Sequence, residues 1–164
     1  MVEDVLTEES VWKALEDVKD PEIPKLSLVD MGIVTSVSIG DGGNIRVVIT
    51  PTFAGCPALK MMADDIRQRL GSLTSGNVEV EVNYDVQWST DMLTEKGRQM
   101  LKESNFALPG QVNGFVSAES LIKVECPFCG SRETRLQSPF GPTQCRAIHY
   151  CDNCKQAFEQ FKPV

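Results

Sequence analysis

The stretch Cys126-Pro127-Phe128-Cys129, answered by Cys151-Asp152-Asn153-Cys154, decides how the C-terminal part of this chain folds. Each Cys-X-X-Cys unit lets two thiolates converge on one ion, and 21 residues separate the two units. A tetrahedral metal needs two such pairs brought face to face by an intervening loop or hairpin. The spacing therefore predicts a zinc ribbon with Cys126, Cys129, Cys151 and Cys154 as ligands. Gly130 after the first unit and Lys155 after the second suit the tight turns and backbone N–H donors that stabilise bound thiolates. Four thiolates also hold a single iron, so a rubredoxin-like electron carrier stays open beside structural zinc. Zinc is favoured because closed four-cysteine sites are usually structural.

Two further residues lie between the units. Cys145 is a fifth cysteine of the tail and stays open as spare ligand, transfer residue or core filler. His149, the one histidine of the chain, reads as a surface residue or as a neighbour that supports Cys151, with replacement of one thiolate ligand as the less favoured alternative. A disulfide reading would need an oxidising compartment. The chain instead opens Met1-Val2-Glu3-Asp4, acidic where a signal peptide is basic, which predicts a cytoplasmic setting. No apolar run approaches the length of a membrane span, so no membrane role is expected.

Outward from the tail, 164 residues with 41% hydrophobic content accommodate one modest core plus a small metal-stapled appendage. Charge is divided between them. Residues 1–122 carry 10 basic and 19 acidic side chains, whereas 123–164 carry 6 basic and 4 acidic. A phosphate backbone needs a basic stripe, and this acidic body opposes one, so nucleic acid is not expected as a partner.

The first part reads as mixed helix and strand. Thr7 to Val18 predicts an amphipathic helix with Thr7 as N-cap and Val11, Leu15 and Val18 on one face. Gly32 to Ile39 alternates as a strand that places Ile33, Val37 and Ile39 together. It turns through Gly40-Asp41-Gly42-Gly43-Asn44 into a second strand, Ile45 to Thr50. Pro57 at a first helical position, followed by Leu59, Met62, Ile66 and Leu70, predicts a helix ending at Gly71. Asn77 to Tyr84 alternates as a third strand with one solvated face, and Thr94 to Ser104 predicts a last short helix. Asn105 to Ser120, with Pro109-Gly110 and Gly114, reads as a linker.

Cys56 is the one cysteine of this first part. Its place just before Pro57 puts the sulfur at a predicted helix N-terminus, where unpaired N–H groups and the helix dipole lower a thiol pKa. A small buried hydrophobe is the equal alternative. A cysteine hydrolase is disfavoured, because the only histidine lies in the tail. The chain also offers no phosphate-cradling glycine loop and no flavin motif, so it is not expected to be an enzyme.

Two stretches carry a family resemblance. Asp20-Pro21-Glu22-Ile23-Pro24 with Ser27-Leu28-Val29-Asp30-Met31-Gly32-Ile33-Val34, and Thr50-Pro51-Thr52-Phe53-Ala54-Gly55-Cys56-Pro57, resemble the SufT-like iron-sulfur cluster assembly family. The tail segment Ser138-Pro139-Phe140-Gly141-Pro142-Thr143-Gln144-Cys145-Arg146-Ala147, followed by the second Cys-X-X-Cys unit, resembles the PaaD family of phenylacetate-degradation proteins. Together the likenesses cover nearly the whole chain. Phe106-Ala107-Leu108-Pro109 departs from the glycine-led segment of relatives, which bears on where the first domain ends.

The resemblance implies an α/β (α+β) fold, a small two-layer assembly-type domain with helices on a three- to four-stranded sheet, plus the ribbon. Its boundaries would be 1–104 for the assembly-like domain, 105–122 for a linker and 123–164 for the ribbon. It also implies an accessory role in maturing an iron-sulfur or di-iron centre of the multicomponent oxygenase that epoxidises phenylacetyl-CoA. The expected partners are the oxygenase and reductase subunits or iron-sulfur assembly proteins. Asp20, Glu22, Asp30, Thr50, Thr52 and Cys56 carry over, with Cys126, Cys129, Cys145, Cys151 and Cys154. Cys56 would take transient iron or a cluster edge, helped by Asp20, Glu22 and Thr52; equally, Asp20 before Pro21 and Asp30 before Gly32 read as turn residues. A full cluster asks for about four protein ligands, so stable holding would need a homodimer or a docked partner. Alternatives are the electron-transfer component and a structural zinc adaptor that docks the oxygenase while Cys56 is inert.

Overall fold

The protein is described here by a computed structural model, which covers residues 5–108, 110 and 116–163. Packing divides the chain after Gln87 into two compact units.

The first unit begins with α1, Glu8–Leu15. Thr7 caps it, accepting from Ser10 N, while Ser10 Oγ answers to Thr7 N. The helix stops one turn short of Val18, yet the following turn still buries Val18 beside Val11 and Leu15. Three strands form the sheet: β1 (Val34–Ile39), β2 (Ile45–Ile49) and β3 (Val78–Val82), in the order β1-β2-β3. β1 and β2 are an antiparallel hairpin, whereas β3 runs parallel to β2 because the crossover helix α2, Leu59–Gly71, lies between them. Ile45, Val47 and Ile49 point inward, and Met62, Ala63, Ile66 and Leu70 supply the buried stripe of α2. Gly76 lies against the backbone of Gly43, so close that a Cβ there would meet the Gly43 carbonyl at 2.6 Å.

Three expectations need correction in this unit. β1 starts at Val34 rather than Gly32, and a bulge between Val34 and Ser36 breaks the alternation, so that Val34 and Val37 are buried while Ile39 is only half-buried. The alternation at Asn77 to Tyr84 overreaches. β3 ends at Val82 where β2 runs out, Asn83 makes the last bond to Ile49 O, and Tyr84 is 60% exposed. Finally, α2 begins at Leu59 and not at Pro57, which instead sits in a turn closed by Leu59 N donating to Cys56 O.

The second unit holds α3 (Glu95–Glu103), β4 (Phe106–Ala107), α4 (Glu119–Ile122), β5 (Thr134–Ser138), β6 (Arg146–Cys151) and β7 (Ala157–Phe161). Thr94 caps α3, its Oγ1 accepting from Gly97 N. The sheet order is β4-β7-β6-β5, antiparallel except for the β4–β7 pair. One face buries Ala107, Val124, Cys126, Cys151 and Phe158 together. Trp88 is buried and meets Phe161 edge to face at 5.9 Å.

The segment expected as a linker is partly structured. Phe106 and Ala107 pair with Glu159 and Gln160, and α4 follows at Glu119. An apolar pair beside an open strand edge gains backbone bonds that composition alone does not announce. Trp88, α3 and β4 thus stand with the ribbon, and the structural division precedes the expected boundary after Ser104. Pro109 and Gly114, both linker signals in the sequence, lie outside the described residues. Among the described residues no helix is long and apolar enough to cross a membrane.

Candidate functional site

The ribbon site is built from two matching knuckles. In the first, Gly130 N donates to Cys126 O at 2.9 Å, and Gly130 turns back with φ 72°. In the second, Lys155 N donates to Cys151 O at 3.0 Å, and Lys155 adopts φ 61°. The left-handed turn after each pair points both thiols the same way, and a non-glycine tolerates it in the second knuckle at some cost in strain. β6 carries Cys151 at its end, while Cys126 N is tied to Ser131 O at 2.9 Å.

The four sulfurs lie within 4.8 Å of one another. Cys126 and Cys154 are separated by 3.7 Å, and Cys129 and Cys151 by 3.6 Å. Zinc–sulfur bonds of about 2.3 Å in a tetrahedron put ligand sulfurs about 3.8 Å apart, so this donor set fits zinc. Zinc bound there would cross-link the two knuckles and add folding energy to a small core.

The thiols are not equivalent. Cys129, held by the Asn153 amide at 3.6 Å and by the Ser131 backbone, is lowered to about 6. Cys154 is pushed up to about 12 by burial and by the neighbouring Cys151 and Cys126 thiols. A metal ion must therefore displace protons from some of the four sulfurs as it binds.

His149 is fully buried, not a surface residue. Its ring stacks on Phe158 at 5.4 Å, Nε2 meets Gln160 Oε1 at 3.0 Å, and Gln160 Nε2 donates to Ser120 O at 2.9 Å. Burial lowers its pKa. The alternation Ala147, His149, Cys151 along β6 is a legible signal for this inward face. Cys145 is buried with Thr143 Oγ1 at 3.0 Å from its sulfur and stands outside the four-thiol cluster.

The second site lies in the loops of the first unit. Asp20 is buried and its Oδ1 accepts from Glu22 N and Ile23 N at 2.8 and 2.9 Å, a turn closed by its own side chain. Asp30 is buried as well, with Ser27 Oγ donating to its carboxylate at 2.7 Å. Thr50, also buried, reaches Asn83 O at 3.4 Å, and Thr52 is half-buried in the loop that leads to Cys56.

Cys56 is half-buried in the turn before α2. Its thiol is pushed up, not down: burial is the largest cause, and the Glu22 and Asp20 carboxylates add to it against backbone bonds from Ala58 and Leu59. The expectation of a lowered thiol pKa fails, because burial, joined by the Glu22 and Asp20 carboxylates, outweighs the N–H bonds that Ala58 and Leu59 at the helix start give the sulfur. Among the described residues the ribbon is the one set of three or more such donors gathered at metal-binding distance; Cys56, Asp20 and Glu22 do not form another.

Residues 114–162 match the family described as PaaD zinc beta ribbon domain, and residues 8–82 match the iron-sulfur cluster assembly protein family. A protein of Escherichia coli (strain K12), provisionally named as a subunit of 1,2-phenylacetyl-CoA epoxidase, is 36% identical over 94% of this chain and 92% of its own length. An Fe-S protein maturation auxiliary factor of Porphyromonas gingivalis is 32% identical over 55% of this chain and 86% of its own. The crystal structure of a domain of unknown function, DUF59, from Bacillus anthracis superposes with a TM-score of 0.54 at 26% identity, covering 57% of this chain and 90% of that one. These likenesses agree with the mixed α/β reading, and they divide as the sequence does, assembly domain first and zinc ribbon after.

Proposed function

Because this chain belongs to the PaaD family of phenylacetyl-CoA epoxidase subunits, with an iron-sulfur assembly domain ahead of a zinc ribbon, we propose that it is a metallocentre-maturation accessory of that epoxidase. The client is an iron-sulfur or di-iron centre in an oxygenase or reductase subunit, and the chain itself catalyses no step of the epoxidation. Cys126, Cys129, Cys151 and Cys154 hold structural zinc. Cys56 handles iron or a cluster edge as transient cargo, with Asp20, Glu22 and Thr52 shaping its surroundings.

One observation supports the cargo role most directly: the half-buried Cys56 thiol lies in the field of the Asp20 and Glu22 carboxylates. A soft donor near hard ones suits iron, and a cation arriving there would offset the burial and the carboxylate charge that together keep the thiol protonated. One thiol is too few for a stable cluster, so cargo is held only while a partner or a second copy supplies the remaining ligands.

The raised pKa of Cys56 also favours a second reading, in which the residue is inert and the zinc ribbon is a docking adaptor. A Cys56→Ser chain, expressed in phenylacetate-grown cells that lack the native relative, separates the two. The maturation reading expects an intact fold, iron-poor epoxidase components and slow growth on phenylacetate. Normal growth with normal iron content would leave only the adaptor.

A further inference from the structure

The four ribbon sulfurs differ in how far the fold encloses them. Cys126 and Cys151 are 2% and 0% exposed and sit in the cluster with Ala107, Val124 and Phe158. Cys154 is half-buried and packs against the same cluster. Cys129 is exposed and lies outside it. The backbone of the other knuckle also serves its own sulfurs, since Cys154 N reaches Cys151 Sγ at 3.5 Å. What reaches across to Cys129 is a surface side chain, with Asn153 Nδ2 donating to its sulfur at 3.6 Å.

We propose that Cys129 is the exchangeable corner of the site, the ligand at which soft electrophiles and competing thiols act first, with Asn153 as the residue that guards it. An attacking group must approach the sulfur, and three of the four are shielded by packed side chains to a greater degree. The amide N–H bond withdraws charge from the Cys129 sulfur and lowers its nucleophilicity, as hydrogen bonds to metal-bound ligands generally tune them. Asn153 is an exposed side chain, so its removal leaves the knuckle turn and the Ser131 backbone bond to Cys129 intact.

The test uses the zinc-loaded full chain and iodoacetamide. The thiolate attacks the iodoacetamide methylene carbon: a carbon–sulfur bond forms, the carbon–iodine bond breaks and iodide leaves, and the resulting neutral thioether is a poor zinc ligand. Peptide mass spectrometry follows all six cysteines in time, while a chromophoric chelator reads zinc release. Among the four ribbon cysteines, Cys129 is expected to carry the first adduct, with zinc leaving at the same rate. Asn153→Ala should speed modification of Cys129 by about fivefold, the effect of losing one net hydrogen bond, while Cys56 reacts at an unchanged rate. First modification at Cys154, Cys126 or Cys151, or zinc release that precedes the Cys129 adduct, would overturn the assignment. An unaltered Cys129 rate in Asn153→Ala would remove Asn153 from it. Should that variant lose zinc outright, Cys129→Ser supplies the second reading. It is expected to retain zinc with faster exchange to the chelator, whereas a loss as complete as that of Cys151→Ser contradicts the proposal.

Discussion

The two units solve the same problem with different materials. The first encloses Val11, Leu15, Ile33, Ile45, Val47, Ile49, Ile66 and Leu70 between two helices and one sheet face, a core of branched hydrocarbon that excludes water unaided. The ribbon face of the second unit gathers Ala107, Val124 and Phe158 around Cys126 and Cys151, so two of its buried groups are thiols that face other thiols. Sulfur at those positions contributes little as hydrocarbon and a great deal as ligand. Metal should therefore be a folding term in one unit and a bystander in the other.

The largest break in that contrast is expected from Cys151→Ser. Structural zinc sites contribute about 10 kcal/mol or more of apparent binding energy to small domains, so zinc and ribbon order should be lost together. Hydrogen exchange would then show residues 116–163 unprotected and residues 8–82 as protected as before. Ile66→Ala makes the reciprocal test. Truncating this fully buried side chain of α2 should cost about 2–5 kcal/mol in the first unit, read by urea unfolding, with the zinc content unchanged.

A smaller effect is expected from Gln160→Leu. The change removes the partner of His149 Nε2 and the donor to Ser120 O, and leaving buried polar groups unpaired costs about 1–3 kcal/mol. Midpoint loss in the zinc-loaded protein, without metal loss, would show that the sheet beneath the knuckles has its own polar anchor. The subtlest test concerns Cys56. Its pKa lies above the ordinary thiol value, so at neutral pH less of it is thiolate than in a free cysteine, and its alkylation should be slow and should rise as pH climbs through and beyond 9. Glu22→Gln removes one of the carboxylates that raise it, and should shift that rate profile to lower pH. A profile that moves the other way would place the cause elsewhere.

Sequence and structure meet most closely where chemistry fixes spacing. The knuckles, their turns at Gly130 and Lys155, the Thr7 cap and the inward faces of β2 and α2 all follow from patterns short enough to read directly. The differences share a cause, since each depends on a partner distant in sequence. Strand β3 stops at Val82 because β2 stops at Ile49, and Phe106-Ala107 becomes a strand because β7 offers an edge. At Cys56 the fold buries the sulfur and brings Asp20 and Glu22 near it, which outweighs the N–H bonds from Ala58 and Leu59 at the helix start. For His149 residue type leaves a surface place and a supporting place near Cys151 both open, and its phase along β6, shared with Cys151, decides for the buried one.

The division of labour between a resident metal and a carried one is tested most directly by metal analysis. Zinc, iron and acid-labile sulfide would be quantified anaerobically, after exposure to ferrous iron and sulfide, in the native chain and in Cys56→Ser. One zinc per chain is expected in both proteins, with any iron and sulfide present in the native chain and missing from Cys56→Ser. Iron in place of zinc, retained by Cys56→Ser, would put the iron in the ribbon thiolates and contradict that division.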